Sequence, residues 1–268
     1  MLDEIGRGSG NKRTGSKCFY AESMRYSTVN SRDNLMVSAF PFDPMRRSEE
    51  IESLVMRGER RRYYRFRSSG HYGGVVTADT IGCNLLCAYC WNHRKNENPT
   101  QGEFCSADEV LLRLRTEAGR TGIRNFRISG AEPILGERSA RHLAEVLSAF
   151  PGRFIVETNG IILGYSPDLL DLLLPHDPHF RLTIKGDCPE RFEEITGATG
   201  AAFRFQVEAL SELRKRGGTC RIAAMVGAVD SRRLEQPFPE ERVEWEEFRN
   251  FGNAERNLAY RSARLDRN

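Results

Sequence analysis

Cys83, Cys87 and Cys90 stand at C-x3-C-x2-C spacing within the segment Gly82–Asn92. Three thiols in one short loop can hold metal and still leave a coordination position open. Thiolates are soft ligands that favour iron–sulfur clusters, zinc and copper(I). Two readings fit the spacing. A cubic 4Fe-4S cluster held by the three cysteines leaves its fourth iron free for a small ligand. A structural zinc ion instead closes its shell with a fourth protein ligand, for which His93 is at hand. Zinc ribbons, however, usually pair C-x2-C knuckles.

A loop of this kind needs elements that present it. The β-branched run Gly74–Thr80 leads into it, and Ser106 is placed to cap a helical pattern over 107–118. Strand-like segments at 124–128, 153–157, 180–185 and 219–226 then alternate with helical ones at 137–149, 166–173 and 203–216. Such alternation predicts parallel βα units, and in parallel βα barrels the reacting groups gather at the C-terminal strand ends. The polar clusters of this chain fall there. The cysteine loop follows the first strand, Ser129–Pro133 the second and Glu157–Asn159 the third, while Thr183 and Lys185 close the fourth.

Taken in order, these elements resemble the radical SAM superfamily, and within it the pyruvate formate-lyase activating enzyme-like branch. The cysteine spacing, with aromatic Tyr89 just before the third thiol, is similar to the superfamily signature. The strand-end turn Gly130-Ala131-Glu132-Pro133 resembles its Gly-Gly-Glu-Pro element, with Ala131 as a departure. Glu157–Gly160 resembles the branch's Thr-Asn-Gly strand end, and Arg181–Gly186 its Asp-Ile-Lys strand, with Thr183 where aspartate is usual. Arg221–Gly227 looks like its later strand, and the likeness spans roughly residues 74 to 229. The resemblance implies a partial (βα)6 TIM-like barrel of parallel strands, of which five are read here, and a 4Fe-4S cluster on Cys83, Cys87 and Cys90. It implies that S-adenosylmethionine binds the open iron and is cleaved to a 5'-deoxyadenosyl radical that abstracts hydrogen from substrate. An electron donor such as flavodoxin or ferredoxin is the implied partner. Backbone at Gly130 and Ala131, with Glu132 as acceptor, would meet the methionine amino group, and Lys185 its carboxylate or the ribose. Glu157, Thr158, Asn159 and Thr183 offer oxygens to ribose or a cation, backbone near Tyr89 would meet the adenine edge, and Met225 would pack on its ring.

The 268 residues divide into an arginine-rich N-terminal extension (1–73), the barrel core (74–229) and a charged tail (230–268). The tail is too charged for a buried strand and is read as a surface helix around Glu241 to Phe251 or as partly disordered. No run is long enough to span a bilayer and the N-terminus lacks the plan of a secretory signal, so a cytoplasmic protein with reduced thiols is expected. Within the extension, Tyr64-Arg65-Phe66-Arg67 alternates as a half-buried strand with arginines on its open face. Interleaved aromatic and basic residues suit RNA, but a net charge of only +3 favours a solvated edge strand.

Three substrate classes compete. A small molecule such as a carbohydrate or nucleoside is favoured, with Cys188, just past the fourth strand, as the catalytic hydrogen donor of an epimerisation or related isomerisation. Cys18, Cys105 and Cys220 are rival donors. The second class is a protein, with the chain as a glycyl-radical-enzyme activase. The third is RNA, either modified by the enzyme or bound by a zinc-containing module. No membrane partner is expected.

Overall fold

The computed structural model describes residues 40–239, 241–248 and 254–265, with side chains in the last helix described as far as residue 259. These residues lie in the second of two units, Asp33–Asn268, and Cys18 lies outside the described residues. No helix among them is long and apolar enough to cross a membrane.

One sheet organises the chain. Its strands are β1 (Met56–Arg57), β2 (Arg60–Ser69), β3 (Val75–Thr80), β4 (Glu103–Cys105), β5 (Phe126–Ser129), β6 (Phe154–Thr158), β7 (His179–Ile184), β8 (Cys220–Met225) and β9 (Val243–Glu246). The order is β1-β2-β3-β5-β6-β7-β8-β9, with β4 on β2. From β3 through β9 along that path every pairing is parallel, which makes six parallel strands in an α/β fold of partial-barrel type. The helices are α1 (Pro44–Val55), α2 (His93–Glu97), α3 (Ala107–Thr121), α4 (Glu137–Ser148), α5 (Ile161–Tyr165), α6 (Leu170–Leu173), α7 (Pro189–Thr196), α8 (Phe203–Lys215), α9 (Ser231–Leu234) and α10 (Ala254–Leu265). Ser106 caps α3 through a reciprocal capping box with Glu109.

The sixth strand lies where a surface helix was expected. Val243-Glu244-Trp245-Glu246 alternates with period two, pairing Ile222 with Val243 and Met225 with Glu246. Its charge does not exclude it from the sheet because Arg181 of β7 reaches Glu244 at 3.0 Å and Glu246 at 2.9 Å. The N-terminal arginine segment also enters the sheet, as β2, antiparallel to β3. Asp43 caps α1 by accepting from Met45 N at 2.9 Å, and α1 buries Ile51 and Val55 against Ile81 and Leu135.

Period-two burial gives the parallel sheet two unlike faces. Val76, Ala78, Phe126, Ile128, Phe154, Val156, Phe180, Leu182 and Ile222 form a core with apolar residues of α3, α4 and α8. The opposite face carries Thr77, Asp79, Arg127, Ser129, Glu157 and Arg181. Fully parallel sheets are usually apolar on both faces, so this polar face calls for a ligand.

Candidate active site

The cysteine loop leaves β3 at Gly82, whose φ of +91° is one that L side chains rarely adopt. Backbone bonds then pin it: Leu86 N donates to Thr196 O at 3.1 Å and Ala88 N to Ile195 O at 2.8 Å, both in α7. Arg47 of α1 donates to Cys83 O at 3.3 Å and to Asn96 O at 3.3 Å. Amide donors approach the sulfurs, Leu85 N to Cys83 Sγ at 3.4 Å and Asn96 Nδ2 to Cys90 Sγ at 3.6 Å. Burial pushes the Cys83 thiol up and the Cys90 thiol to about 11, with the Cys87 charge raising both further. The three sulfurs therefore share one buried neighbourhood in which a thiolate needs a cationic partner. Because Gly82 lacks a Cβ, α1 can close over the loop; an alanine Cβ there would lie 2.6 Å from Ile51 Cγ2. Gly82→Ala is expected to lower stability by about 1–3 kcal/mol and to reduce the iron retained after reconstitution, measured by thermal unfolding and iron analysis.

Of nine buried side-chain nitrogen and oxygen atoms without a hydrogen-bond partner among the described residues, four belong to this loop and its helix: Asn84 Nδ2, Tyr89 OH, His93 Nδ1 and Asn96 Oδ1. Buried polar groups are rarely left so, and their concentration here marks the loop as built to hold something. Lys185 closes the other side, its Nζ 5.6 Å from the centre of the Tyr89 ring. Burial opposes its charge, but Tyr89, Cys87 and Glu246 hold its pKa above the usual lysine value.

The neighbouring strand ends are cross-tied. At Gly130, whose φ is +91°, a side-chain Cβ would lie 2.9 Å from both Asp79 Cβ and Thr80 O, and its carbonyl accepts from Asn92 Nδ2 at 2.6 Å. Glu132 turns its carboxylate inward: Oε1 accepts from Thr158 Oγ1 at 2.6 Å and Ile134 N at 3.2 Å, and Oε2 from Asn159 N at 2.8 Å. Asn159 Nδ2 donates to Asn84 Oδ1 at 2.8 Å. Thr183 Oγ1 donates to Thr158 O at 3.2 Å. Gln206 of α8, fully buried, donates to Asn159 O at 2.6 Å and Thr183 O at 3.0 Å and accepts from Lys185 N at 3.0 Å. Gln206 was not singled out in the sequence. Its signal is a polar residue at a core-facing position of the Phe203-Gln206-Leu210-Leu213 stripe.

The polar face forms a ladder of alternating charge. Arg65 and Arg67 of β2 both donate to buried Asp79, at 2.7 and 2.8 Å. Arg127 bridges Thr77 and Glu157, each at 3.1 Å, and Glu157 also accepts from Ser129 at 2.6 Å. Arg181 stands 3.8 Å from Glu157 and continues to Glu244 and Glu246. Burial works against the Glu157 carboxylate, yet Arg127 and Arg181 hold its pKa below the usual value. Tyr72 donates to Glu157 at 3.0 Å from a turn in which its φ is +54°. That conformation is uncommon for a tyrosine and had no sequence signal. Glu157, expected near ribose, is thus a member of this ladder.

The family model described as the radical SAM superfamily matches residues 78–233, more than half of the chain. This protein belongs to the radical SAM superfamily. Its cofactors are the superfamily's 4Fe-4S cluster and S-adenosylmethionine. The relatives do not support the expected pyruvate formate-lyase activating branch. A probable GTP 3',8-cyclase of Methanopyrus kandleri is 34% identical over 95 residues, covering 34% of this chain and 28% of the relative. A probable GTP 3',8-cyclase of Methanococcus maripaludis is 31% identical over 120 residues, covering 44% and 38%. The matches therefore span well under half the length of these curated relatives. A solved radical SAM methyltransferase from Sphaerobacter thermophilus aligns at a TM-score of 0.47 with 15% identity, over 70% of this chain and 64% of that one.

Among the described residues no three thiol, imidazole or carboxylate groups gather around a single ion, and His93 Nε2 lies 3.2 Å from Glu97. A cubic cluster takes each thiolate on a different iron, so its ligands need not converge on one point. Cys188, the expected hydrogen donor, stands at the N-cap of α7 among Asp187, Glu190 and Arg233. Cys105 and Cys220 are buried. Nor is the arginine segment a free basic surface: Arg61 is buried and donates to Ile81 O and Glu132 O, and Arg62 donates to Leu54 O and Gly102 O.

Proposed function

We propose that this radical SAM enzyme holds its cluster on Cys83, Cys87 and Cys90, binds S-adenosylmethionine between that loop and Lys185, and acts on a small, polar, charge-bearing substrate seated on the inner face of the barrel. The observation that carries the reading is the continuity of the charge ladder with the cysteine loop, through the run Asp79, Thr80, Ile81 and Gly82. When bound, the cluster and S-adenosylmethionine supply an electron and a 5'-deoxyadenosyl radical that removes a substrate hydrogen atom, the electron coming from a donor such as flavodoxin or ferredoxin. The protein's part is to position and exclude. Lys185 offers its ammonium to the methionine carboxylate, the Gly130–Ala131 backbone approaches the amino group, Tyr89 meets adenine beside Met225, and the Thr158, Asn159 and Thr183 ends stay fixed by Glu132 and Gln206.

The relatives' printed names place a nucleotide among the substrates to try, without carrying cyclase activity to this chain. The epimerase reading through Cys188 draws no support from them. The RNA reading draws less support, because the arginines of β2 are hydrogen-bonded to carbonyls and carboxylates of the protein itself. Anaerobically reconstituted protein given a strong reductant is expected to convert S-adenosylmethionine to 5'-deoxyadenosine and methionine; a fully loaded cluster that yields neither would overturn the proposal. Lys185→Met is expected to weaken S-adenosylmethionine binding by roughly 10- to 100-fold, as a lost hydrogen bond between charged groups implies, measured by equilibrium dialysis.

A further inference from the structure

The ladder is balanced in its middle and unbalanced at its two ends. At the β2–β3 end two guanidinium groups, Arg65 and Arg67, share one carboxylate, Asp79. At the β9 end two carboxylates, Glu244 and Glu246, share one guanidinium, Arg181. Exposure follows the same division. Asp79 and Arg181 side chains are 0% and 4% exposed, whereas Arg65 is 43%, Arg67 26%, Glu244 42% and Glu246 40% exposed. The buried partner in each triad is satisfied, and the surplus charge of each triad points where a ligand can reach it. Counted over these ion pairs, one end of the face carries a surplus guanidinium and the other a surplus carboxylate, separated by buried, internally paired groups; Lys185 acts on Glu246 from beyond the β9 triad, and Arg221 of β8 shares the face with Arg181.

We infer that the inner face binds a zwitterionic small molecule lengthwise, its anionic group at Arg65 and Arg67 and its cationic amine or amidine at Glu244 and Glu246. A charged lining with fixed dipoles favours a ligand whose charges complement both ends. A polyanion is disfavoured, because it can neutralise only the single surplus positive charge at one end and must face the surplus negative charge at the other. A singly charged ligand leaves one end without its complement. This orientation holds the middle of the molecule over the centre of the sheet. The inference rests on the proposed function only for its assignment of this face to substrate.

The test is calorimetric titration of the reconstituted enzyme, with S-adenosylmethionine present, at low ionic strength. The probes are ω-amino carboxylates from ε-aminocaproate to ω-aminododecanoate, because three strand spacings of about 4.8 Å separate β3 from β7, each beside the carboxylate and the alkylammonium of equal length, together with GTP. At the best-fitting length the zwitterion is expected to bind about tenfold or more tightly than either one-ended analogue, a difference of about 1.4 kcal/mol. Glu244→Gln with Glu246→Gln should weaken the zwitterion and the alkylammonium and spare the carboxylate. Arg65→Gln with Arg67→Gln should do the converse, and if that variant fails to fold the glutamine pair still decides. The inference is overturned if no probe binds, if the zwitterion gains nothing over its analogues, or if GTP binds more tightly than every zwitterion. Failure of the underlying proposal has a separate signature, the absence of 5'-deoxyadenosine from the wild-type enzyme, which no probe affinity affects.

Discussion

Replacing any one of Cys83, Cys87 and Cys90 by alanine is expected to abolish 5'-deoxyadenosine formation and to strip most iron and sulfide from the reconstituted protein. Burial disfavours the thiolates of Cys83 and Cys90, and the neighbouring sulfurs compound the effect. The anionic form therefore persists only where metal charge repays its desolvation. With two ligands left, the cluster has two irons without protein anchors. Changes to the amide donors around it should act more mildly: Asn96→Ala removes the 3.6 Å N–H···S contact to Cys90 and is expected to cost roughly 10- to 100-fold, the range of outer-shell partners. His93→Ala separates the two metal readings. It should leave iron per chain unchanged, whereas zinc bound by wild type and lost in this variant would point to the closed site. Metal and sulfide analysis after anaerobic purification reads all three outcomes, and a Cys90→Ala protein with full iron content would refute the assignment.

What the sequence revealed was local, and what it hid was long-range. The cysteine spacing and the strand-end clusters are legible because each works through residues a few positions apart. The strand readings at 153–157, 180–185 and 219–226 fall within a residue or so of Phe154–Thr158, His179–Ile184 and Cys220–Met225. Strand β9 was illegible because two of its four residues are glutamates, and the group that makes them tolerable, Arg181, lies more than sixty residues earlier. The alternation of Arg65 and Arg67 correctly announced a strand. Their apparent open face was the inner face of the barrel, since their partner Asp79 sits in a run that read only as β-branched. Cys188 drew attention as a thiol after a strand, and it lies in the β7–α7 connection as the N-cap of α7. The helical reading at 166–173 met a segment broken into a short 3-10 turn and α6, as Pro167 and the leucine-rich pattern cannot signal by periodicity alone.

Glu132 carries the second large effect, and it is one of stability. Its carboxylate, read from sequence as an acceptor for the methionine amino group, receives Thr158 Oγ1, Ile134 N and Asn159 N within the protein, while its backbone bonds Gly82 O and Arg61. Glu132→Ala leaves three buried donors unpaired at about 1–3 kcal/mol each, a sum comparable to the whole stability of an ordinary domain, about 5–15 kcal/mol. Little soluble, folded protein is expected from it. Glu132→Gln keeps one oxygen and the side-chain volume, and should fold with a smaller loss. The same residue gives the cluster-free protein a pH dependence of defined sign. Burial raises its pKa to about 7 from 4.5, with the bonds from Asn159 and Thr158 opposing the shift. Between these values the native carboxyl holds a proton that the unfolded chain has released, so the native state binds more protons and its stability falls as pH rises through the window. The fall approaches about 3 kcal/mol and should vanish in Glu132→Gln. Urea unfolding midpoints that decline from acidic to neutral pH in wild type but stay level in the glutamine variant would confirm it. Equal slopes in the two proteins would assign the dependence to another group and leave Glu132 with its hydrogen-bonding role alone.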